Sequence, residues 1–168
     1  IEFRDCLSLV RYRAEAMQDA VPEGQGAMAA ILNLDDDLVR AACAEAAQRE
    51  VVEAVNFNAP GQVVIAGHKS AVLRAMEACK AKGAKRALPL PVSAPFHSAL
   101  MRPAAERLRS YLADVKVAVP GRQLINNVDV KVETQPSAIK DALVRQAASP
   151  VRWVETVRKM RDEGVTHV

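Results

Sequence analysis

The sequence predicts an α/β protein, and three observations carry that prediction. Half of its 168 residues are hydrophobic, enough to bury a core in one domain, or in one domain with a small subdomain. Segments of helical periodicity alternate with short apolar runs. Two stretches, "GAMAAILNLDDDLVRAACAEA" and "GQVVIAGHKSAVLRAMEACKA", repeat one plan of glycine, apolar strand, polar break and helix. With a strand after each half the order becomes βαββαβ, a ferredoxin-like split unit whose helices cover one face of an antiparallel sheet.

Each element follows from its residues. "FRDCLSLVRYRAEAMQDAV" sets Leu9, Tyr12, Ala16 and Val10, Ala14, Met17 at helical spacing and stops at Pro22 and Gly24. "GAMAAILN" is a buried strand, and "LDDDLVRAACAEAAQRE" a helix with Asp35, Asp36 and Asp37 in its first turn, where the dipole favours anions. "VVEAVNF" is a strand, "APGQVVIAG" a turn and a strand, "HKSAVLRAMEACKAKG" a helix ended by Gly83, and "AKRALPLPV" a strand limited by its prolines. The split unit therefore spans about residues 25–92, between a helical segment 1–24 and a remainder 93–168. That remainder is predicted to hold a helix from Met101 to Val115, a strand "LINNV", helices Pro136 to Gln146 and Trp153 to Glu163, and "VTHV" as the start of a strand. Helices alternating with single strands here suggest part of a further α/β layer.

Composition excludes several function classes. A net charge of +3 with no aromatic residues among the basic ones does not indicate nucleic acid. No apolar run approaches the roughly 20 residues of a membrane span, and "IEFRDCLSLVRYR" lacks the layout of a signal peptide, so a cytoplasmic protein is expected. Cys6, Cys43 and Cys79 are odd in number and widely spaced, which suits buried reduced thiols rather than a disulfide framework or a metal site.

Four groups of residues could carry chemistry. His97 follows the Pro95 constraint in "LPVSAPFHSALM" and reads either as a loop histidine with structural hydrogen bonds or as a catalytic base, since imidazole titrates near neutrality. Arg13 could grip a carboxylate through two parallel hydrogen bonds or be a solvated arginine, and spacing does not choose among Arg4, Arg11 and Arg13. Asn56, Asn58 and Gln62 around the "APG" turn either satisfy turn backbone or line a polar cleft. Lys80, Lys82, Lys85 and Arg86 are a solvated helix end or a landing patch for an acidic partner. His68 and His167 make no metal-ligand spacing.

Taken together, "RYRAEAMQDAVPEGQGAMAAI", "VNFNAPGQVVIAGHKSAV", "KRALPLPVSAPFHSALM", "NNVDV" and "DALVRQAASPVRW" resemble the bacterial malonyl-coenzyme A:acyl-carrier-protein transacylases of type II fatty-acid synthesis. The acyltransferase domains of polyketide synthases are similar more loosely. The resemblance implies that the split unit is inserted in a larger α/β-hydrolase-like acyltransferase domain. It implies transfer of malonyl from coenzyme A to a serine and then to the phosphopantetheine thiol of acyl carrier protein. The coenzyme A thioester is then a substrate and no cofactor is needed.

The family's serine stands in a Gly-His-Ser-x-Gly elbow, and none of Ser8, Ser70, Ser93, Ser98, Ser110, Ser137 or Ser149 has that frame. The nucleophile is therefore expected upstream, with both ends of the enzyme missing and the fragment inactive alone. His97 aligns with the general base, Arg13 with the arginine that binds malonyl's carboxylate, and Gln146 with the residue whose main-chain carbonyl orients the histidine, its side chain being of little account. Asn56 and Asn58 match a polar turn lining the cleft. Phe96 stands where, in polyketide relatives, a Phe goes with malonyl and a smaller residue with methylmalonyl. A monomer is expected. The alternatives are a polyketide-type acyltransferase and a non-catalytic ferredoxin-like module that docks a partner.

Overall fold

The computed structural model describes residues 1–92 and 94–167. Helix α1 spans Phe3–Asp19, followed by β1 (Gly26–Leu32), α2 (Asp36–Ala47), β2 (Val52–Ala59), β3 (Gln62–His68), α3 (Lys69–Ala81) and β4 (Arg86–Pro89). The βαββαβ order expected of the repeat is present. A 3-10 turn at Ala99–Met101 leads into α4 (Arg102–Asp114), then β5 (Leu124–Ile125), β6 (Val132–Glu133), α5 (Pro136–Gln146) and α6 (Trp153–Asp162). Local chemistry sets the boundaries. Asp35 caps α2 by accepting from the Asp37 N–H at 2.9 Å, and Pro103 in the first turn of α4 and Pro136 at the start of α5 lie where the missing N–H costs nothing.

The four strands lie in the order β2-β3-β1-β4 with every pair antiparallel. On one face, Ala29, Ile31, Val63, Ile65 and Phe57 meet Val39, Ala42, Val72 and Ala75 of α2 and α3. On the other, Met28, Val55, Val64 and Ala66 form a second cluster against Leu90 and Phe96. Because both faces are covered, β3 is apolar and buried from Val63 to Gly67 instead of alternating. Gly67 is obligatory where strands crowd: a Cβ there would stand 2.0 Å from the Val51 carbonyl oxygen.

The helices outside the sheet share their own core. Leu9, Ala16 and Met17 of α1 pack with Met101, Ala105, Leu108 and Leu112, and with Val144 and Ala147 at the end of α5. Tyr12 and Tyr111 stack with ring centroids 4.3 Å apart and fix α1 on α4.

Several expectations are corrected. Of the second α1 stripe only Met17 is buried; Val10 and Ala14 face solvent. Cys6 is exposed, whereas Cys43 and Cys79 are buried between α2 and α3, where desolvation pushes the Cys43 thiol up to about 12. "LINNV" is extended only at Leu124–Ile125, because the Asn126 side chain accepts from the Val128 and Asp129 N–H groups and turns the chain. Val165–His167 form no strand, as no neighbour among the described residues offers a ladder to them; Val168 lies outside the described residues. Among the described residues no helix is long and apolar enough to cross a membrane.

Candidate active site

His97 occupies the third position of a turn whose ends are joined by the Ser98 N–H donating to the Pro95 carbonyl at 3.3 Å. Its φ of 64° lies in the left-handed region that this position of a type II turn demands, and that glycine or asparagine usually fills. For a residue with a Cβ this costs about 1–2 kcal/mol. The cost is borne by surroundings that leave no choice: Pro95 and Ser98 are buried, and the Ser98 hydroxyl donates to the Pro95 carbonyl at 2.7 Å.

The other side of the ring meets the end of α5. Gln146 is the last residue of that helix, so its carbonyl lacks an intrahelical partner and can accept from outside. It lies 2.9 Å from His97 Nδ1. A carbonyl only accepts, so Nδ1 carries the hydrogen and Nε2 keeps its lone pair. Burial holds the imidazole below its ordinary pKa; the Gln146 carbonyl opposes this, and the Arg13 charge adds to it. At neutral pH His97 is therefore a neutral base with Nε2 available.

Arg13 approaches from α1. Its Nη2 donates to the Gln146 side-chain oxygen at 2.5 Å. The guanidinium is largely desolvated, which lowers its pKa, and no carboxylate among the described residues opposes that shift. A half-buried cation left without a counter-ion is a binding site for an anion. Gln146 thus joins the two candidate groups, through its main chain to His97 and through its side chain to Arg13, so the expectation that its side chain is of little account is not what the geometry gives. Both Arg13 and Gln146 line a cleft of about 770 Å³ that continues over Ile125, Asn126, Ile139 and Leu143.

Strand β2 sets the register of this arrangement. Its edge pairs with the segment after α5, with Phe57 N–H donating to Val151 O at 3.0 Å and Val151 N–H to Val55 O at 2.8 Å. Glu53 on the same strand accepts from the Ala99 N–H at 2.8 Å, two residues past His97. Asn56, half-buried, forms the bridge to Val151 at this junction, whereas Asn58 is exposed. Phe96 does not line the cleft; it is half-buried between the sheet's second face and the helical core. Sequence reasoning missed Glu53 and the Gln146 side chain. Lys80 and Lys82 of the basic run are paired with Glu77 and Glu45, and Lys82 is only part-exposed.

A neutral imidazole base held by a main-chain carbonyl stands beside a desolvated cation that no carboxylate among the described residues opposes, an arrangement able to accept a proton and bind an anion side by side. The chain belongs to the acyl transferase domain family, whose model matches residues 2–168. It is 58% identical over 168 residues to the malonyl CoA-acyl carrier protein transacylase of Escherichia coli (strain K12), covering 100% of this chain and 54% of that one. The solved acyl-carrier-protein S-malonyltransferase of Burkholderia pseudomallei 1710b superposes with a TM-score of 0.98 at 67% identity, over 100% of this chain and 55% of that one. A malonyl-transacylase solved in complex with its type II PKS acyl-carrier protein superposes at 0.97, with 54% identity over 98% of this chain and 53% of that one. The chain therefore spans about half the length of the relatives it matches.

Proposed function

We propose that this segment supplies the base and the carboxylate-binding half of a malonyl-coenzyme A:acyl-carrier-protein transacylase of fatty-acid synthesis. The observation that carries the reading is the link from Arg13, desolvated and opposed by no carboxylate among the described residues, through Gln146 to the neutral imidazole of His97.

In the reaction so read, a serine hydroxyl supplied from outside these 168 residues attacks the thioester carbonyl and gives its proton to His97 Nε2. The tetrahedral intermediate collapses, the C–S bond breaks, and the coenzyme A thiolate leaves with the proton from the imidazolium. The phosphopantetheine thiol of acyl carrier protein then attacks the seryl ester, again with His97 taking the proton, and the serine oxygen leaves and recovers it. Arg13 holds malonyl's carboxylate throughout. Coenzyme A thioester is a substrate, and the scheme calls on no cofactor. Phe96, outside the cleft lining, bears on an α-methyl group through the His97 turn that it precedes, and Asn56 and Asn58 stand on β2 near its junction with Val151.

The same reading makes 25–92 a ferredoxin-like small subdomain inserted between 1–24 and 93–168 of an α/β-hydrolase-like domain, in a monomeric cytoplasmic enzyme. The strand order β2-β3-β1-β4 and the bonds from β2 to Val151 and Ala99 support this. The relative bound to a type II PKS carrier extends the reading to polyketide carriers.

The test is Arg13→Ala in the full-length protein. Removing one partner of a desolvated charge pair costs about 2–5 kcal/mol, so malonyl transfer should fall by roughly thirty- to several-thousand-fold. Acetyl transfer should be spared. An unchanged preference for malonyl over acetyl would remove Arg13 from the carboxylate site.

A further inference from the structure

We propose that the Gln146 side chain is a positioning residue for Arg13, so that one residue sets both the base and the acyl-binding cation, and with them the preference for an acidic acyl group. The proposal deepens the reading above and rests on it.

The geometry carries the argument. Gln146 Oε1 lies 2.5 Å from Arg13 Nη2, while the carbonyl of the same residue lies 2.9 Å from His97 Nδ1. Arg13 sits on α1, far from α5 in sequence, and a long guanidinium on a helix face has several rotamers to choose from. A bond to one Nη narrows them. The remaining N–H donors of the fork are left for the two oxygens of a carboxylate.

The chemistry of the anchor matters as much as its place. A glutamine amide orients the guanidinium through a lone pair and carries no charge, so Arg13 keeps its full attraction for an incoming carboxylate. A glutamate at 146 would be nearly isosteric, but it would form a charge-assisted pair with Arg13 and compete with the substrate for the same donors. A methionine there would fill similar volume and offer no comparable acceptor. Neither change removes the main-chain carbonyl that holds His97. Base and cation are therefore separable by substitution at a single position.

In the full-length protein, kcat and KM are measured with malonyl-coenzyme A and with acetyl-coenzyme A for Gln146→Glu and Gln146→Met. Gln146→Glu should lower kcat/KM for malonyl by about 30-fold or more, chiefly through KM, and lower the malonyl-to-acetyl ratio of kcat/KM by at least about tenfold. Gln146→Met should lower malonyl by about 5- to 10-fold, with a smaller loss on acetyl, so that the malonyl-to-acetyl ratio falls. The acid limb of the acetyl pH profile should stay in place in Gln146→Met, because the His97 contact is main-chain. Equal losses on both substrates, in either variant, would make the side chain merely structural and overturn the proposal; so would no loss in either. Arg13→Ala in parallel separates the two ideas. If it abolishes malonyl selectivity while both Gln146 variants keep it, only this inference fails; if it too keeps selectivity, the carboxylate-site reading fails as well.

Discussion

The sheet unit, Gly26–Pro89, and the helices around it bury their apolar residues by different means. The sheet closes a core of its own, with Ile31, Val39, Val63, Ile65, Ala71 and Ala75 wholly excluded from water and α2 and α3 laid over one face. The helical part does not close in this way. Leu9, Ala16 and Met17 of α1 are buried against α4, yet Phe3, Leu7 and Val10 on the same helix remain 77%, 58% and 59% exposed. The candidate site lies in the second region. The sheet core is thus built from residues set by local pattern, whereas the site needs residues distant in sequence to be brought together.

The sharpest way to break this contrast is His97→Gly in the full-length protein. Loss of the base should slow transfer by about 10²–10⁴-fold. Stability should hardly move, because glycine relieves the left-handed strain of about 1–2 kcal/mol while forfeiting a hydrogen bond of about 1 kcal/mol. The comparison also has a pH signature. Burial holds the His97 pKa below its unfolded value, so the folded state binds fewer protons than the unfolded state once pH falls through about 6.5. Its neutral form is fully accommodated above that value, and stability is lost as pH drops toward the folded pKa. The variant lacks this loss, so thermal melts should show it gaining on the wild type between pH 7 and pH 5. A parallel pH dependence in both proteins would mean that the ring is not buried as a neutral base.

The same contrast governs what was legible in the sequence. The repeat exposed the sheet unit because burial on a sheet and under a helix imposes periods of 2 and 3.6 on neighbouring residues. β3 kept its identity despite being apolar on both faces, because the "PG" turn and the following helix bounded it. The β5 prediction failed beyond Ile125, where Asn126 uses its side chain to satisfy two N–H groups and ends the strand. His97 and Arg13 stood out as candidates by residue chemistry, but their roles, and Gln146 altogether, came through the resemblance, since 84 residues separate Arg13 from His97 and 49 separate His97 from Gln146, too far for any periodicity to link them. Glu53 and the Gln146 side chain had no local signal at all. A hydrogen bond across a tertiary contact leaves no mark on its neighbours in the chain.

On the other side of the comparison, Ile65→Ala should act through stability alone. Ile65 is fully buried in the middle strand β3, and truncation of such a residue costs about 2–5 kcal/mol. At a temperature where the variant stays folded, kcat and KM for malonyl transfer should match the wild type within about twofold, since the cavity left by the lost side-chain carbons under α2 and α3 lies on the face of the sheet away from Phe96. Denaturant unfolding and kinetics on the same preparation would decide it. A selective fall in kcat with normal stability would tie the two regions together more closely than their separate cores suggest.

The smallest effect tests the connection between the regions. Glu53 stands on β2 and accepts from the Ala99 N–H just past the His97 turn, while the same strand pairs with Val151 beyond Gln146. Both ends of the His97–Gln146 contact are therefore referenced to one strand. The Glu53 carboxylate is exposed, so its bond to the loop is worth only about 1 kcal/mol. Glu53→Ala should accordingly lower kcat by about 3- to 10-fold, with KM for malonyl-coenzyme A little changed, because Arg13 reaches Gln146 from α1 and does not depend on the loop. Glu53→Gln keeps an acceptor oxygen at the same distance and should recover most of the rate. The pair of variants separates loop positioning from surface charge: equal kcat losses in both would assign the effect to charge near the cleft, and recovery in Glu53→Gln alone would assign it to the hydrogen bond by which the sheet holds the histidine loop.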